Sequence, residues 1–276
     1  MTTAPVLTSR DFYDRQAALY EVMNDWPSRL SFEMPFIQRA LEQSRAQAVL
    51  DVACGGGHHA IALARQGYAV SGADISAEML DLARRNAAKA GASVRFEQSS
   101  FADLGARFDQ VFDAVLCLGN SLPHVLTEAE QLAALNAMHD RLRTGGVLIL
   151  QNLNYDLRWK NRPRFFALNS ATLGDRPVLI WRMADYHDPG TRVPGLAGIC
   201  PEPGLVTFHI ATFEQGAGGA WQVGVKSTLQ RPLFSADLQR WLAQAGFQDI
   251  ATFGGLDASP FYADSSPDLI VCARRA

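Results

Sequence analysis

The hydrophobic positions change rhythm along the chain. Over residues 1–48, Phe12, Ala17, Leu19, Tyr20 and Met23 recur at loose helical spacing, Trp26-Pro27 interrupts, and Phe36, Ile37, Ala40 and Leu41 resume the pattern. A continuous apolar run, Ala48-Val49-Leu50-Asp51-Val52-Ala53, then predicts a buried strand. Cys54-Gly55-Gly56-Gly57 and a helix stopping at Gly67 follow it. Tyr68–Asp74, Val94–Glu97, Ala114–Leu118 and Val147–Leu150 read as further strands. A helix capped by Ser76 and closed by Gly91 intervenes, as does one opened by Thr127 and Glu130 at capping-box spacing. Strands separated by single helices predict an α/β fold, a doubly wound and mostly parallel sheet with helices on both faces.

After Asn152 the pattern breaks. A polar, arginine-rich stretch precedes three runs rich in β-branched and aromatic residues, at Val178–Tyr186, Leu205–Phe213 and Gln222–Leu229. A Pro/Gly-rich loop at 189–204 and a turn at Gly216–Gly219 separate them, so an antiparallel insert is predicted. The α/β pattern returns with a helix expected to be capped by Ser235 and a last strand at Asp268–Ala273. The expected organisation is a helical lid at 1–47, an α/β domain at 48–152 and 225–276, and an antiparallel cap at 153–224.

Composition narrows the classes. Hydrophobic residues make up 48% of the 276 and charged residues 19%, the balance of a chain able to bury a core. A net charge of −3 and only three lysines, Lys89, Lys160 and Lys226, lack the basic excess of a phosphate-binding surface, so no nucleic-acid partner is expected. The first ten residues hold no apolar core of a secretory signal, and no run reaches the length needed to span a bilayer. Cys54, Cys117, Cys200 and Cys272 show neither Cys-x-x-Cys pairing nor metal-ligand spacing. A cytoplasmic protein with free thiols, no membrane contact and no metal is expected. His58 and His59 are adjacent, so they point apart on a helix and cannot chelate as an i, i+4 pair.

Gly55-Gly56-Gly57-His58-His59-Ala60 fits G-x-G-x-x-[GA] between a strand and a helix, a pattern compatible with NAD, FAD or S-adenosylmethionine. Asp51 discriminates between them. A pyrophosphate gains from a helix N-terminus free of carboxylates, whereas the ammonium and sulfonium of S-adenosylmethionine gain from a carboxylate at the strand end. Asp74, closing the second strand, is placed to accept both ribose hydroxyls.

Val49–Gly57, Asp74, Phe112-Asp113-Ala114-Val115 and Leu142–Gly146 together resemble the class I S-adenosylmethionine-dependent methyltransferases, over roughly residues 45–152 and the C-terminal strand. Ala53 and Thr144 depart from the usual glycine and proline. Val52–Gly55, Cys117–His124 and Asn154-Tyr155-Asp156 are similar, more closely, to the glycine/sarcosine N-methyltransferase-like group. The resemblance implies a seven-stranded Rossmann-like sheet, S-adenosylmethionine as methyl donor and a small-molecule acceptor, most readily an amine or amino acid. A small-molecule O-methyltransferase and a cofactor-binding protein without turnover are the alternatives.

On this reading the cofactor site comprises Tyr20, Trp26, Arg29, Asp51, Ala53, Gly55, Gly57, Asp74, Ile75, Met79, Ser100, Phe101, Leu118, Asn120 and His124. Arg29 matches the family's arginine for the cofactor carboxylate, or is a solvated helix residue. Phe101 is expected to pack on the adenine, with Ser100 facing its exocyclic amine. Tyr13, Tyr20 and Trp26 serve either as an aromatic lid over the sulfonium or as anchors of the N-terminal helices. Asn120, Asn154, Tyr155 and Arg158 are candidates for binding the acceptor. No dedicated general base is required, and positioning is expected from Asn120, His124 and Tyr155. One departure matters: the family's arginine for the substrate carboxylate precedes Asn-Tyr-Asp, and here that position is Leu153. An acceptor less anionic than glycine at that wall is expected, with Arg158, Arg162 or Arg164 as possible substitutes for the lost arginine.

Overall fold

The computed structural model describes residues 6–216 and 218–276. The strands are β1 (Val6–Leu7), β2 (Ala48–Val52), β3 (Ala69–Asp74), β4 (Arg95–Gln98), β5 (Phe112–Cys117), β6 (Leu142–Leu153), β7 (Asn169–Leu173), β8 (Arg176–His187), β9 (Leu205–Gln215), β10 (Trp221–Gln230), β11 (Phe247–Phe253) and β12 (Asp268–Arg275). The helices are α1 (Ser9–Asp14), α2 (Ala17–Met23), α3 (Trp26–Gln43), α4 (His58–Ala64), α5 (Ala77–Ala90), α6 (Leu104–Arg107), α7 (Glu128–Asp140), α8 (Tyr155–Asn161) and α9 (Ser235–Gln244).

Seven strands form the main sheet in the order β11-β12-β6-β5-β2-β3-β4. The β4-to-β6 part is parallel, and β12 and β11 are antiparallel. Both faces are covered, which is why the central strands read as unbroken apolar runs. Val49, Leu116, Ile149 and Ile270 pack with Ile37, Leu41 and Leu80 on one side. Leu50, Val115, Leu148 and Val271 pack with Leu135, Met138, Trp241 and Leu242 on the other.

A second sheet, β1-β10-β9-β8-β7, is antiparallel except where β1 joins β10 in parallel. Phe12 and Leu19 of the N-terminal helices pack on its Val178, Ile180 and Ile210. Ser76, the N-cap of α5, binds the backbone N–H of Met79 and donates to Asp14 at 2.5 Å, which ties those helices to the main sheet.

The structure differs from the sequence reading in several elements. β11 was not anticipated, because Gln248, Asp249 and Ala251 are exposed on an edge strand broken by a bulge, which erases its alternation. The arginine-rich stretch contains α8, whose N-cap Asn154 accepts from the Leu157 N–H at 3.3 Å. β7 lies at the open edge of the second sheet, and β10 runs on to Gln230, past the position where the insert was expected to end. Ser235 is the first residue of α9 rather than its cap, since its N–H donates to Asp156 at 3.0 Å.

Candidate active site

The C-terminal ends of β2, β3, β4 and β5 border a cavity of about 490 Å³ under the N-terminal helices. Tyr20, Ala53, Gly55, Asp74, Ile75, Met79, Ser100, Phe101, Leu118 and His124 line it. The Asp74 carboxylate accepts from the Gly55 N–H at 2.8 Å and the Ser76 N–H at 2.9 Å, which fixes it at the rim. Tyr20 lies over Gly55, where an added Cβ would meet its ring at 3.5 Å. Ser100 donates to Asp103 at 2.7 Å, leaving its oxygen lone pairs for a donor from the ligand.

Several sequence-predicted residues stand elsewhere. Gly57 caps α4 in the left-handed region at φ 78°, where a Cβ would lie 2.9 Å from that of Ala83. It allows the helix to close on α5 rather than touching the cavity. Gly57→Ala combines left-handed strain with this clash, and a loss of about 2–3 kcal/mol is expected in chemical denaturation. Asp51 is buried behind the loop and does not line the cavity. Trp26 lies outside both cavities, its ring stacked on His58 at 3.9 Å, and so anchors α3. Asn154 is fully buried and donates to the Ala263 and Ser266 carbonyls at 3.0 and 2.9 Å, so it fixes the chain and is not available to an acceptor.

A second cavity of about 380 Å³ adjoins the first at Tyr13, Tyr20 and Gly119 and is walled by the other sheet. Arg29, Asn120, Leu153, Tyr155 and Arg158 open on it. Arg29 pairs with Glu33 at 3.0 Å, and Glu33 also holds His59 at 2.6 Å.

A chain of hydrogen bonds crosses the junction. Asn120 takes the Leu153 N–H at 3.1 Å and donates to the Tyr155 hydroxyl at 3.1 Å. Tyr155 donates to Gln230 at 3.0 Å, and the Gln230 amide and the Tyr13 hydroxyl meet His124 Nε2 at 3.2 and 3.0 Å. Sequence reasoning missed Gln230, which lies at the end of an ordinary-looking strand. Every side chain in this chain is uncharged at neutral pH. Burial pushes the Tyr13 and Tyr155 phenols up and lowers His124 to about 4.

Two carboxyl groups with raised pKa values belong to the first cavity, Asp74 on its lining and Asp51 behind the loop. Burial raises Asp51 to about 7, opposed by His59, and raises Asp74 to about 6. The Asp51 Oδ2 atom is buried without a hydrogen-bond partner. Asp74 on the lining suits vicinal hydroxyls, and the buried, unpartnered Asp51 carboxyl behind the loop favours positive charge nearby, so the residues fit S-adenosylmethionine.

The sign of the pH dependence follows. A carboxyl raised in the folded chain favours the ligand-free fold below its unfolded pKa, and that contribution is lost as pH rises through about 6 to 7. A cationic ligand prefers the ionised form. Its affinity is expected to rise from pH 5 to 7.5 with proton release, which calorimetry in buffers of differing ionisation enthalpy measures.

Fold and site together define an S-adenosylmethionine-dependent methyltransferase. The family profile described as a methyltransferase domain matches residues 49–146. The glycine/sarcosine N-methyltransferase of Halorhodospira halochloris is 34% identical over 266 residues, covering 95% of this chain and 88% of that one. The enzyme of the same name from Aphanothece halophytica is 29% identical over 91% of this chain and 84% of its own length. The chain belongs to the glycine/sarcosine N-methyltransferase family. Among solved structures, an S-adenosylmethionine-dependent methyltransferase from Clostridium acetobutylicum superimposes with a TM-score of 0.73 at 16% identity, over 96% of this chain and 98% of that one. A sugar N-methyltransferase from Streptoalloteichus gives 0.69 at 20% identity over 100% and 96%. Both share the fold.

Proposed function

We propose that this enzyme N-methylates a small-molecule amine held in the second cavity. S-adenosylmethionine, when bound, supplies an activated methyl group on a sulfonium whose leaving group is a neutral thioether. Asp74 would hold the ribose, Ile75, Met79 and Phe101 the adenine, and Arg29, beside Gly119, the carboxylate.

The observation that carries the choice of nitrogen over oxygen is the uncharged hydrogen-bond chain Tyr13–His124–Gln230–Tyr155–Asn120 at the junction. A hydroxyl acceptor needs a base to take its proton, and an imidazole lowered to about 4 is a poor one. An amine needs only to arrive neutral, and desolvation on entering the cavity favours the neutral form. The hydroxyl and amide groups then orient the nitrogen, and orientation is the main contribution available to a direct displacement. The two relatives matched over most of this chain, from Halorhodospira halochloris and Aphanothece halophytica, are both named as N-methyltransferases, which supports the same reading.

With any amine that is turned over, kcat/KM is expected to climb with pH in step with the free-amine fraction, and His124→Gln to preserve the shape of the profile. Methylation on oxygen, or an acid limb that vanishes with His124, would replace this reading.

A further inference from the structure

Leu153 removes the family's arginine for the acceptor carboxylate, and the charges around the second cavity show where its role has gone. Arg162 is bound to Asp188, at 2.9 Å through Nη1, and Arg164 to Asp185 at 2.9 Å, both at the surface. Arg158 of α8 and Arg182 of β8 instead line the cavity, and neither has an ion-pair partner among the described residues. The Nε atom of Arg182 is buried without any hydrogen-bond acceptor, a costly state for a guanidinium donor. Phe166 joins the two. Its ring lies 5.2 Å from the Arg158 guanidinium carbon, and its N–H donates to the Arg182 carbonyl at 3.1 Å.

The remaining charges do not cancel them. Arg29 and Glu33 neutralise one another, and Asp268 is the other carboxylate on the lining, so one positive charge is left over. Burial and the neighbouring Arg158 both lower the Arg182 pKa, as expected of two like charges awaiting an anion. Leu153, Phe12, Val206, Phe208 and Ile210 make the other walls apolar, and about 380 Å³ leaves room for a body well beyond glycine.

We infer that the amine acceptor carries a carboxylate on an apolar body, and that Arg182 and Arg158 hold that carboxylate. The inference rests on the proposed acceptor cavity and names its specificity-determining pair. A planar carboxylate matches the guanidinium fork in a way that a neutral amide does not.

The test is calorimetric binding of 3-phenylpropanoate, 3-phenylpropanamide and phenethyl phosphate to protein saturated with S-adenosylhomocysteine. The carboxylate should bind about tenfold or more tighter than the amide, the effect of one charge-assisted contact. Arg182→Leu and Arg158→Leu should each erase most of that preference while leaving S-adenosylhomocysteine affinity unchanged. Arg182→Lys, which keeps the charge and loses the fork, should retain part of it and covers the case of a leucine variant that fails to fold. No preference for the carboxylate, a preference that survives both substitutions, or tighter binding of the phosphate would overturn the inference. Amine methylation without any carboxylate preference would leave the proposed function standing. Methylation on oxygen would remove that function while the carboxylate preference could still be measured.

Discussion

Asp74→Ala is expected to weaken S-adenosylmethionine binding roughly 100- to 1000-fold, the loss of two hydrogen bonds to a charged acceptor after partial compensation. The carboxylate is held at the rim by the Gly55 and Ser76 N–H groups, leaving lone pairs toward the ribose position. Asp74→Asn keeps an acceptor and a similar shape, so a smaller loss of about tenfold is expected. Circular dichroism separates a binding defect from unfolding. Unchanged affinity in a folded Asp74→Ala protein would remove this residue from the site.

The second large effect is at Glu33, which is 4% exposed and bound on one side by Arg29 and on the other by His59. Glu33→Ala leaves buried donors without an acceptor, a change worth about 3–5 kcal/mol and a fall in Tm of roughly 10 °C for a chain of this size. Arg29 also loses the partner that orients it, so cofactor affinity should fall in whatever fraction remains folded. Despite its burial, the hydrogen bond from His59 and the charge of Arg29 hold the Glu33 carboxyl below its ordinary value of 4.5. Its stabilisation is therefore present above that pH and lost as pH falls through the lowered value, so the gap between wild type and variant should narrow in acid. A gap independent of pH would show that packing, not the ion pair, is what Glu33 contributes.

The main sheet was legible because covered parallel strands advertise themselves as apolar runs, and Gly55, Asp74, Ile75 and Met79 come from adjacent strand ends, loops and the first turn of α5. β11 and β7 were not: the bulged β11 exposes Gln248, Asp249 and Ala251 without alternation, and β7 is only five residues long with Ala171 and Leu173 its apolar members. Local motifs also conceal orientation. Asn154 and Tyr155 are neighbours in a family motif, yet the first turns into the backbone as a cap and the second into the cavity. Arg182 and Gln230 were invisible for the opposite reason. Each sits in a cap strand far from any motif, and only the folding of that sheet brings Gln230 to the junction and Arg182 to the second cavity.

The proposed chemistry meets its most direct test in a transfer assay with trideuteromethyl S-adenosylmethionine and matched acceptors, each amine paired with the alcohol or phenol of the same skeleton. Mass spectrometry with fragmentation locates the label. Label is expected on nitrogen, in amines that fit the second cavity, with transfer at limiting S-adenosylmethionine falling in step with the affinity lost in Asp74→Ala. Label found on oxygen alone would contradict the proposed chemistry.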